Sequence, residues 1–276
     1  MLAKAMQTTG IFSLTQLLSR NQLTIFNFHR IRDDNDPVIF DDSLFGPNIQ
    51  TVTKHMKWLK SNADPVSEED LLNHFRKGSK LPSRGFMITF DDGYLDNYTL
   101  GLPLFKELNI PAIYFVPTKV IQERGIGWWD MIYYMLKKTE HKEIYFRGER
   151  FEVPKPVMPL AEIFNGKMKL LTSNENHALI DELSHATGVS IPSQELCSRE
   201  MMTWDQIREV DKTCVKIGSH THSHRVLATL DLETQRHELN HSKQILEKEL
   251  GRKVTSFSYP VGGYEQFNTE TKQFAR

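Results

Sequence analysis

The sequence predicts an α/β fold built on a parallel sheet or a β/α barrel. Short apolar runs typical of buried strands alternate along the chain with longer segments that have helical periodicity. Polar residues that can carry chemistry directly follow several of these runs. Such alternation builds parallel strands joined by helices, and the active sites of these folds lie at the carboxyl ends of the strands.

Five apolar runs are predicted to be strands, at 23–28, 86–90, 112–116, 215–217 and 254–259. Helices are predicted at 50–59, 100–108 and 232–250, and Ser67 is predicted to cap a further short helix. The helix at 232–250 is the clearest, because it has a stripe of leucines, Asp231 to cap its start and Gly251 to end it.

The middle of the chain breaks this alternation. Residues 143–146 and 150–153 resemble an exposed hairpin, and 154–192 contains prolines followed by a polar, helix-like stretch. We interpret 137–192 as an insertion on a single domain that spans 22–276. Residues 1–21 are predicted to be an N-terminal helical segment, which either packs on the domain or lies on a membrane surface.

Composition limits the partners that the protein can have. Lys and Arg number 34 and Asp and Glu number 35, so the chain has no general basic field that would attract nucleic acid. No apolar run has the roughly 18 residues of a transmembrane helix, and the first residues do not resemble a signal peptide, which together favour a cytoplasmic protein. Cys197 and Cys214 lie outside any CxxC pattern and are predicted to be buried free thiols, with one disulfide as the alternative. The oligomeric state stays open.

Two adjacent carboxylates, Asp91 and Asp92, follow the second predicted strand and precede Gly93. Such a pair is costly unless a positive charge lies near it. A divalent ion would supply that charge if one Asp bound it, and the other Asp could then act as a base. The alternative is a surface turn, which is how we interpret Asp41-Asp42 elsewhere in the chain.

Histidines follow the fourth predicted strand. His220 and His224 are four residues apart, a spacing that places both imidazoles on one face of a helical turn, whereas His222 would point elsewhere. Two neutral histidines and one carboxylate are a common ligand set of catalytic zinc. The alternative is a polar loop whose histidines contact backbone or solvent.

A tight loop follows the fifth predicted strand, where Tyr259-Pro260-Val261 runs into paired glycines. Its backbone N–H groups could stabilise an oxyanion, although a simple turn would have the same sequence. His29 follows the first strand and is either a site residue or a structural one. The residues Trp128, Trp129 and Asp130 form either a sugar-stacking platform or part of the core.

These clusters together resemble the polysaccharide deacetylases, the carbohydrate esterase family 4 type. ITFDDGY at 88–94 is similar to the first motif of that family, and IGSHTHSH at 217–224 is similar to its second, H-x-x-x-H motif. FSYPVGGY at 257–264 resembles a variant of its third motif. The similarity extends from about residue 22 to about residue 270.

The resemblance implies a distorted (β/α) barrel with the site at its mouth and hydrolysis of N-acetyl groups from a sugar or polysaccharide, which releases acetate. Asp91 would be the general base, and the Val261 N–H would be the oxyanion donor. Asp92, His220 and His224 would hold one divalent metal ion, for which zinc is the first choice and cobalt, nickel or iron fit the same ligands. We assign His29, Trp129 and Tyr259 to binding of an N-acetylated glycan or glycolipid substrate.

Three departures from the family pattern bear on activity. The family's third motif begins with an Arg that orients the catalytic Asp, where this chain has Ser258, and Val261 replaces an aromatic residue. The last barrel strand, with the His that serves as the general acid, has no counterpart before Arg276. The barrel is therefore expected to be incomplete at its C-terminus or to close differently, and the acid is not assigned. An inactive glycan-binding relative and a hydrolase of a small non-sugar amide are the alternative functions.

Overall fold

The computed structural model describes residues 22–34, 37–171 and 173–275. The predicted N-terminal helical segment at 1–21 lies outside these residues. The described strands are β1 (Gln22–Phe28), β2 (Arg30–Arg32), β3 (Phe45–Asn48), β4 (Asp64–Pro65), β5 (Arg84–Phe90), β6 (Ala112–Val116), β7 (Glu143–Phe146), β8 (Glu149–Glu152) and β9 (Val215–Ser219). The described helices are α1 (Ile49–Asn62), α2 (Glu68–Lys77), α3 (Leu102–Leu108), α4 (Thr118–Glu123), α5 (Trp128–Lys138), α6 (Met158–Met168), α7 (Ser173–Thr187), α8 (Gln194–Ser198), α9 (Trp204–Asp211), α10 (Leu232–Leu250) and α11 (Thr269–Phe274).

The central sheet is parallel, which confirms the predicted α/β class. Its strand order is β1-β5-β6-β9, and β4 pairs with the start of β5. The side chains of β6 are all buried, as are those of β5 after its first residue. Strands covered on both faces need continuous apolar sequence, and this explains the runs FMITF and AIYFV.

The helix boundaries follow local capping chemistry. Ser67 accepts a hydrogen bond from Asp70 N in a capping box at the start of α2, as predicted. Asp231 caps the start of α10, and Gly251 ends it at φ 66°, where glycine has no steric penalty. The start of α3 differs from the prediction, because a wider helical turn at Asn97–Gly101 precedes it.

The inserted region has a hydrophobic core of its own. Side chains from β7, α6 and α7 pack against one face of α5 in a cluster that includes Tyr133, Ile144 and Phe164. The hairpin β7–β8 is therefore not fully exposed as predicted, because Ile144 and Phe146 are buried on one of its faces. Helix α5 joins this cluster to the main core, since Met131 and Tyr134 pack partly against both.

Two local predictions are wrong. Residues 254–259 do not form a regular strand, because only Phe257 bridges to Ser219 at the end of β9 and the described residues supply no strand for its other side. Asp41 is not part of a surface turn, since it is 2% exposed and its side chain accepts a hydrogen bond from Ser43 N. The two cysteines are free, as predicted. None of the described helices is both long enough and apolar enough to span a bilayer.

Candidate metal centre and active site

The carboxyl ends of the strands meet at one edge of the sheet. Phe28 lies opposite Phe90 at the ends of β1 and β5, so His29 and Asp91 leave the sheet side by side. Val116 lies opposite Ser219 at the ends of β6 and β9, and His220 N donates a hydrogen bond to Val116 O. The polar residues that follow separate strands in the sequence are thereby brought to one place.

Three side chains at this edge have the spacing of metal ligands. The distance from Asp92 Oδ1 to His224 Nε2 is 3.2 Å, and that to His220 Nε2 is 3.6 Å. The two Nε2 atoms are 3.1 Å apart. Four-coordinate zinc with ligand bonds of about 2.0–2.1 Å separates its ligand atoms by roughly 3.3 Å. Asp92 Oδ1 is also buried without a hydrogen-bond partner, so this set of donors fits a divalent ion.

A loop, rather than the expected helical turn, brings His220 and His224 together. After β9 the backbone takes positive φ at Thr221 (66°) and again at His224 (55°), and this folds the segment back on itself. His220 Nδ1 lies 2.9 Å from Ser258 O. That contact favours the tautomer with the proton on Nδ1, which leaves Nε2 free to bind an ion.

Backbone strain is concentrated in the site. Asp92 has φ 74° and Val261 has φ 66°, both in the left-handed region that side-chain-bearing residues avoid. Gly93 follows at φ 79°, and a Cβ there would come within 3.1–3.2 Å of Ile121 and Val116. The motif Asp-Asp-Gly therefore needs its glycine both for conformation and for space.

Asp91 lies next to the candidate metal ligands and is positioned by Asn27, which was not among the site residues predicted from the sequence. Asn27 Nδ2 donates a hydrogen bond of 2.9 Å to Asp91 Oδ2. Thr89 Oγ1 donates in turn to Asn27 Oδ1 over 2.8 Å. Asn27 pairs with Thr89 across β1 and β5, so the strand register itself sets this contact. The only sequence signal was a polar residue inside an apolar strand.

Charges in the site favour the protonation states that metal binding requires. Burial acts to raise the pKa of Asp92, but His224, His29 and His220 outweigh it and lower the pKa to about 2. Burial lowers the pKa of His220, which favours the neutral imidazole. An ionised carboxylate and a neutral imidazole are the ligand forms that bind zinc.

A buried series of side-chain contacts leads from His224 to Arg30. The Trp129 ring lies 4.4 Å from the His224 ring. Trp129 Nε1 donates to Tyr94 Oη over 2.8 Å, and Tyr94 Oη donates to Asp130 Oδ2 over 2.6 Å. The Arg30 guanidinium lies 4.4 Å from the centre of the Tyr94 ring. Trp129 therefore packs against His224, and its exposed fraction is 7%. Trp128 is the more accessible of the two tryptophans.

All the predicted site residues line one cavity of about 570 Å³. They are His29, Asp91, Asp92, Trp129, His220, His224, Tyr259 and Val261. Tyr259 stacks on Phe267 with ring centres 4.3 Å apart, which holds the loop that carries Val261. The substrate-binding roles of His29, Trp129 and Tyr259 stay predictions.

The inserted region forms one wall of this cavity, which the sequence analysis did not predict. Glu162, Asn165 and Lys169, from α6 and the residue after it, line the cavity together with Tyr133 of α5. The Tyr133 hydroxyl and Asn165 Oδ1 are both buried without a hydrogen-bond partner. Buried polar atoms are normally paired, so both are available to a ligand.

Known proteins resemble this chain in sequence. The profile of the family described as polysaccharide deacetylase matches residues 78–153 and 165–276. A poly-β-1,6-N-acetyl-D-glucosamine N-deacetylase of Staphylococcus aureus is 31% identical over 137 residues, which are 46% of this chain and 46% of the relative. An Escherichia coli protein of the same name is 26% identical over 95 residues, 34% of this chain and 14% of that protein. The matches thus span about half the length of the staphylococcal relative and less of the other.

Solved structures share the fold. A Streptococcus pyogenes deacetylase solved in complex with acetate aligns with a TM-score of 0.56 at 15% identity, over 92% of this chain and 78% of that one. A de-N-acetylase of Aggregatibacter actinomycetemcomitans aligns with a TM-score of 0.55 at 16% identity, over 92% and 83% of the two chains. The prediction of a distorted barrel of the polysaccharide deacetylase type is confirmed.

Proposed function

This chain belongs to the polysaccharide deacetylase family, and on that premise we propose that it hydrolyses N-acetyl groups of a glycan with the help of one divalent metal ion. The observation that carries the proposal is the buried triad of Asp92, His220 and His224, with Asp91 beside it in an open cavity. Loss of any of these side chains would favour a binding protein instead.

The chemistry follows from the side chains. Asp92, His220 and His224 would hold the ion, which in such sites acidifies a bound water and polarises a carbonyl group. Zinc is our first choice, because a carboxylate and two imidazoles are a usual zinc set. Asp91, held by Asn27, would take the proton of the attacking water. The Val261 N–H would stabilise the negative charge on the former carbonyl oxygen.

The products would be acetate and a free amino sugar. The leaving nitrogen needs a proton, and two groups that line the cavity are our candidates for its donor. Asp91 could return the proton that it took from water. His29, which also lines the cavity and is not one of the metal ligands, is the second candidate. Either of these two groups would supply the general acid, which the sequence motifs left unassigned.

A glycan suits the cavity better than a small amide does. Its volume of about 570 Å³ lies within the range for whole sugar-sized or drug-sized ligands. Trp128 lies at its wall and offers an aromatic face, and Tyr133 and Asn165 offer unpaired polar atoms for hydroxyl groups. The named activity of the staphylococcal relative makes an N-acetylglucosamine polymer the first substrate to test. The cytoplasmic location stays a prediction.

The test combines metal content with acetate release. Purified wild-type protein should hold about one divalent ion more per chain than the double variant D92A/H220A. The matched control D64A/H55A changes an exposed Asp and an exposed His outside the cavity and should keep the ion. Acetate release from N-acetylglucosamine oligomers should be lost with the ion. A folded wild-type chain that binds no zinc, cobalt or nickel rules the proposal out. A chain that binds the ion and the glycan yet releases no acetate supports the inactive relative.

A further inference from the structure

Three histidines lie together where the loop after β9 meets α10, and the proposed reaction uses none of them. His222 belongs to the loop after β9, and His237 and His241 lie one turn apart on α10. The ring centres of His222 and His241 are 4.6 Å apart, those of His237 and His241 are 4.8 Å apart, and those of His222 and His237 are 6.1 Å apart. We call these three residues the histidine cluster.

We propose that the histidine cluster is a second metal site, which binds a late first-row divalent ion such as zinc, nickel or copper. Imidazole suits these ions, and two histidines four residues apart on a helix present their rings on the same face. Three imidazoles bound tetrahedrally at about 2.0–2.1 Å place their ring centres roughly 5 Å apart. The separations in the histidine cluster lie on either side of that value.

The three rings must turn before they can share one ion, because among the described residues only Asp92, His220 and His224 have their ligand atoms within 4.8 Å of one another. His237 and His241 are stacked, with 18° between their planes, so their rings must turn before both nitrogens point inward. His237 is exposed and His241 is half-buried, and exposed side chains change rotamer at little cost. His222 is already held, because its Nδ1 lies 2.9 Å from Thr118 Oγ1, which leaves Nε2 as the ring nitrogen available to an ion.

The surrounding charges tolerate a cation. Glu238, on the same helix, accepts hydrogen bonds from the backbone N–H groups of His222 and Ser223. Its negative charge therefore lies next to the histidine cluster. Lys119 is the opposing positive charge near His222, and it forms an ion pair with Glu123 at 3.8 Å. Glu238 and Lys119 thus place opposite charges next to His222.

The second ion would link the loop after β9 to α10. His222 lies between His220 and His224, so an ion shared with His237 and His241 would hold that segment against the helix, in addition to the hydrogen bonds to Glu238. Binding that occurs only in the folded state stabilises it. The histidine cluster would therefore brace the loop that carries two catalytic metal ligands.

Zinc counting by equilibrium dialysis of metal-stripped protein tests the proposal. The wild type should bind about two zinc ions per chain, and both H237A/H241A and D92A/H220A should bind about one. The control H55A removes an exposed histidine of α1, outside the histidine cluster, and should bind as many as the wild type. The decisive quantity is the difference of about one ion between wild type and H237A/H241A, which does not depend on whether the catalytic site binds metal.

A second readout separates the site from a folding defect. Zinc added to D92A/H220A should raise its melting temperature, because only the histidine cluster remains to bind the ion. Further substitution of His237 and His241 in that variant should abolish the shift. The proposal is overturned if H237A/H241A binds as much zinc as the wild type, or if the shift persists without the histidine cluster.

Discussion

Asn27 donates a hydrogen bond to Asp91 over 2.9 Å and thereby orients the proposed base. In the family pattern an Arg of the third motif has this task, and here that position is Ser258, which contributes its backbone oxygen to His220 instead. The orienting group has thus moved from the third motif to β1. A neutral amide thus orients the carboxylate without placing a positive charge beside it.

We predict that N27A lowers kcat by about 10–100-fold with little change in KM, because the base loses its orientation while the substrate cavity stays intact. N27D places a second carboxylate beside Asp91, and this contact between like charges should shift the acidic limb of the kcat/KM profile to higher pH. T24A, an exposed position on the same strand, is the control. An unshifted pH profile in N27D would mean that Asn27 has only a structural role.

Substitutions at Val261 separate its backbone N–H from its side chain. V261G removes the strain of a β-branched residue at φ 66° and should stabilise the fold by about 1 kcal/mol while activity is kept. V261P removes the N–H and fixes φ near −65°, so it should abolish acetate release while bound metal is retained. Stability is measured by denaturant unfolding and activity by acetate release. Wild-type kcat in V261P would contradict the oxyanion role.

Because the inserted region lines the cavity, we predict that substitutions in it affect the KM of a long substrate more than that of a short one. N165A and K169A should raise KM for an N-acetylglucosamine oligomer by about 5–30-fold, since each removes one polar contact of about 1–2 kcal/mol. Turnover of a monomeric N-acetyl sugar should change less, because the reacting group lies at the metal end of the cavity. The control K167A lies on the same helix but pairs with Glu149. Equal losses on both substrates would argue against a sugar subsite here.

We predict that the buried Asp130 makes the free energy of unfolding depend on pH. Burial raises its pKa to about 7, against the opposing effects of Arg30 and the Tyr94 hydrogen bond. The folded state then keeps a proton that the unfolded state releases above about pH 4, so the stabilising contribution is complete below that pH and is lost as the pH rises through about 7. Between these values D130N should show a shallower fall in unfolding free energy, by up to about 1.4 kcal/mol per pH unit.

Denaturant unfolding of wild type and D130N at several pH values measures this difference. D64N, an exposed carboxylate on β4, is the control and should follow the wild type. Parallel curves for D130N and the wild type would show that Asp130 is ionised throughout the range and that Arg30 compensates its burial fully.

Local sequence patterns identified much of the site. The strand before Asp91 and the strand before His220 were both found from apolar runs, because a strand buried on both faces must be continuously apolar. Helix α10 was found with its ends, since Asp231 and Gly251 have capping roles that act within a few residues. The prediction of a strand at 254–259 was wrong, because the composition there is strand-like but the described residues supply no second strand beside it.

The amino-acid sequence by itself therefore determined the α/β class, the family resemblance and the side chains proposed to bind the metal, because these depend on periodicity and on short motifs. Only the tertiary structure decided that Asn27 orients Asp91, that Asp41 is buried, and that the inserted region lines the cavity. It also brought His222 to the face of α10. These relationships join residues that are far apart in the chain. Strand register and packing decide which distant side chains meet, and no local sequence pattern indicates either.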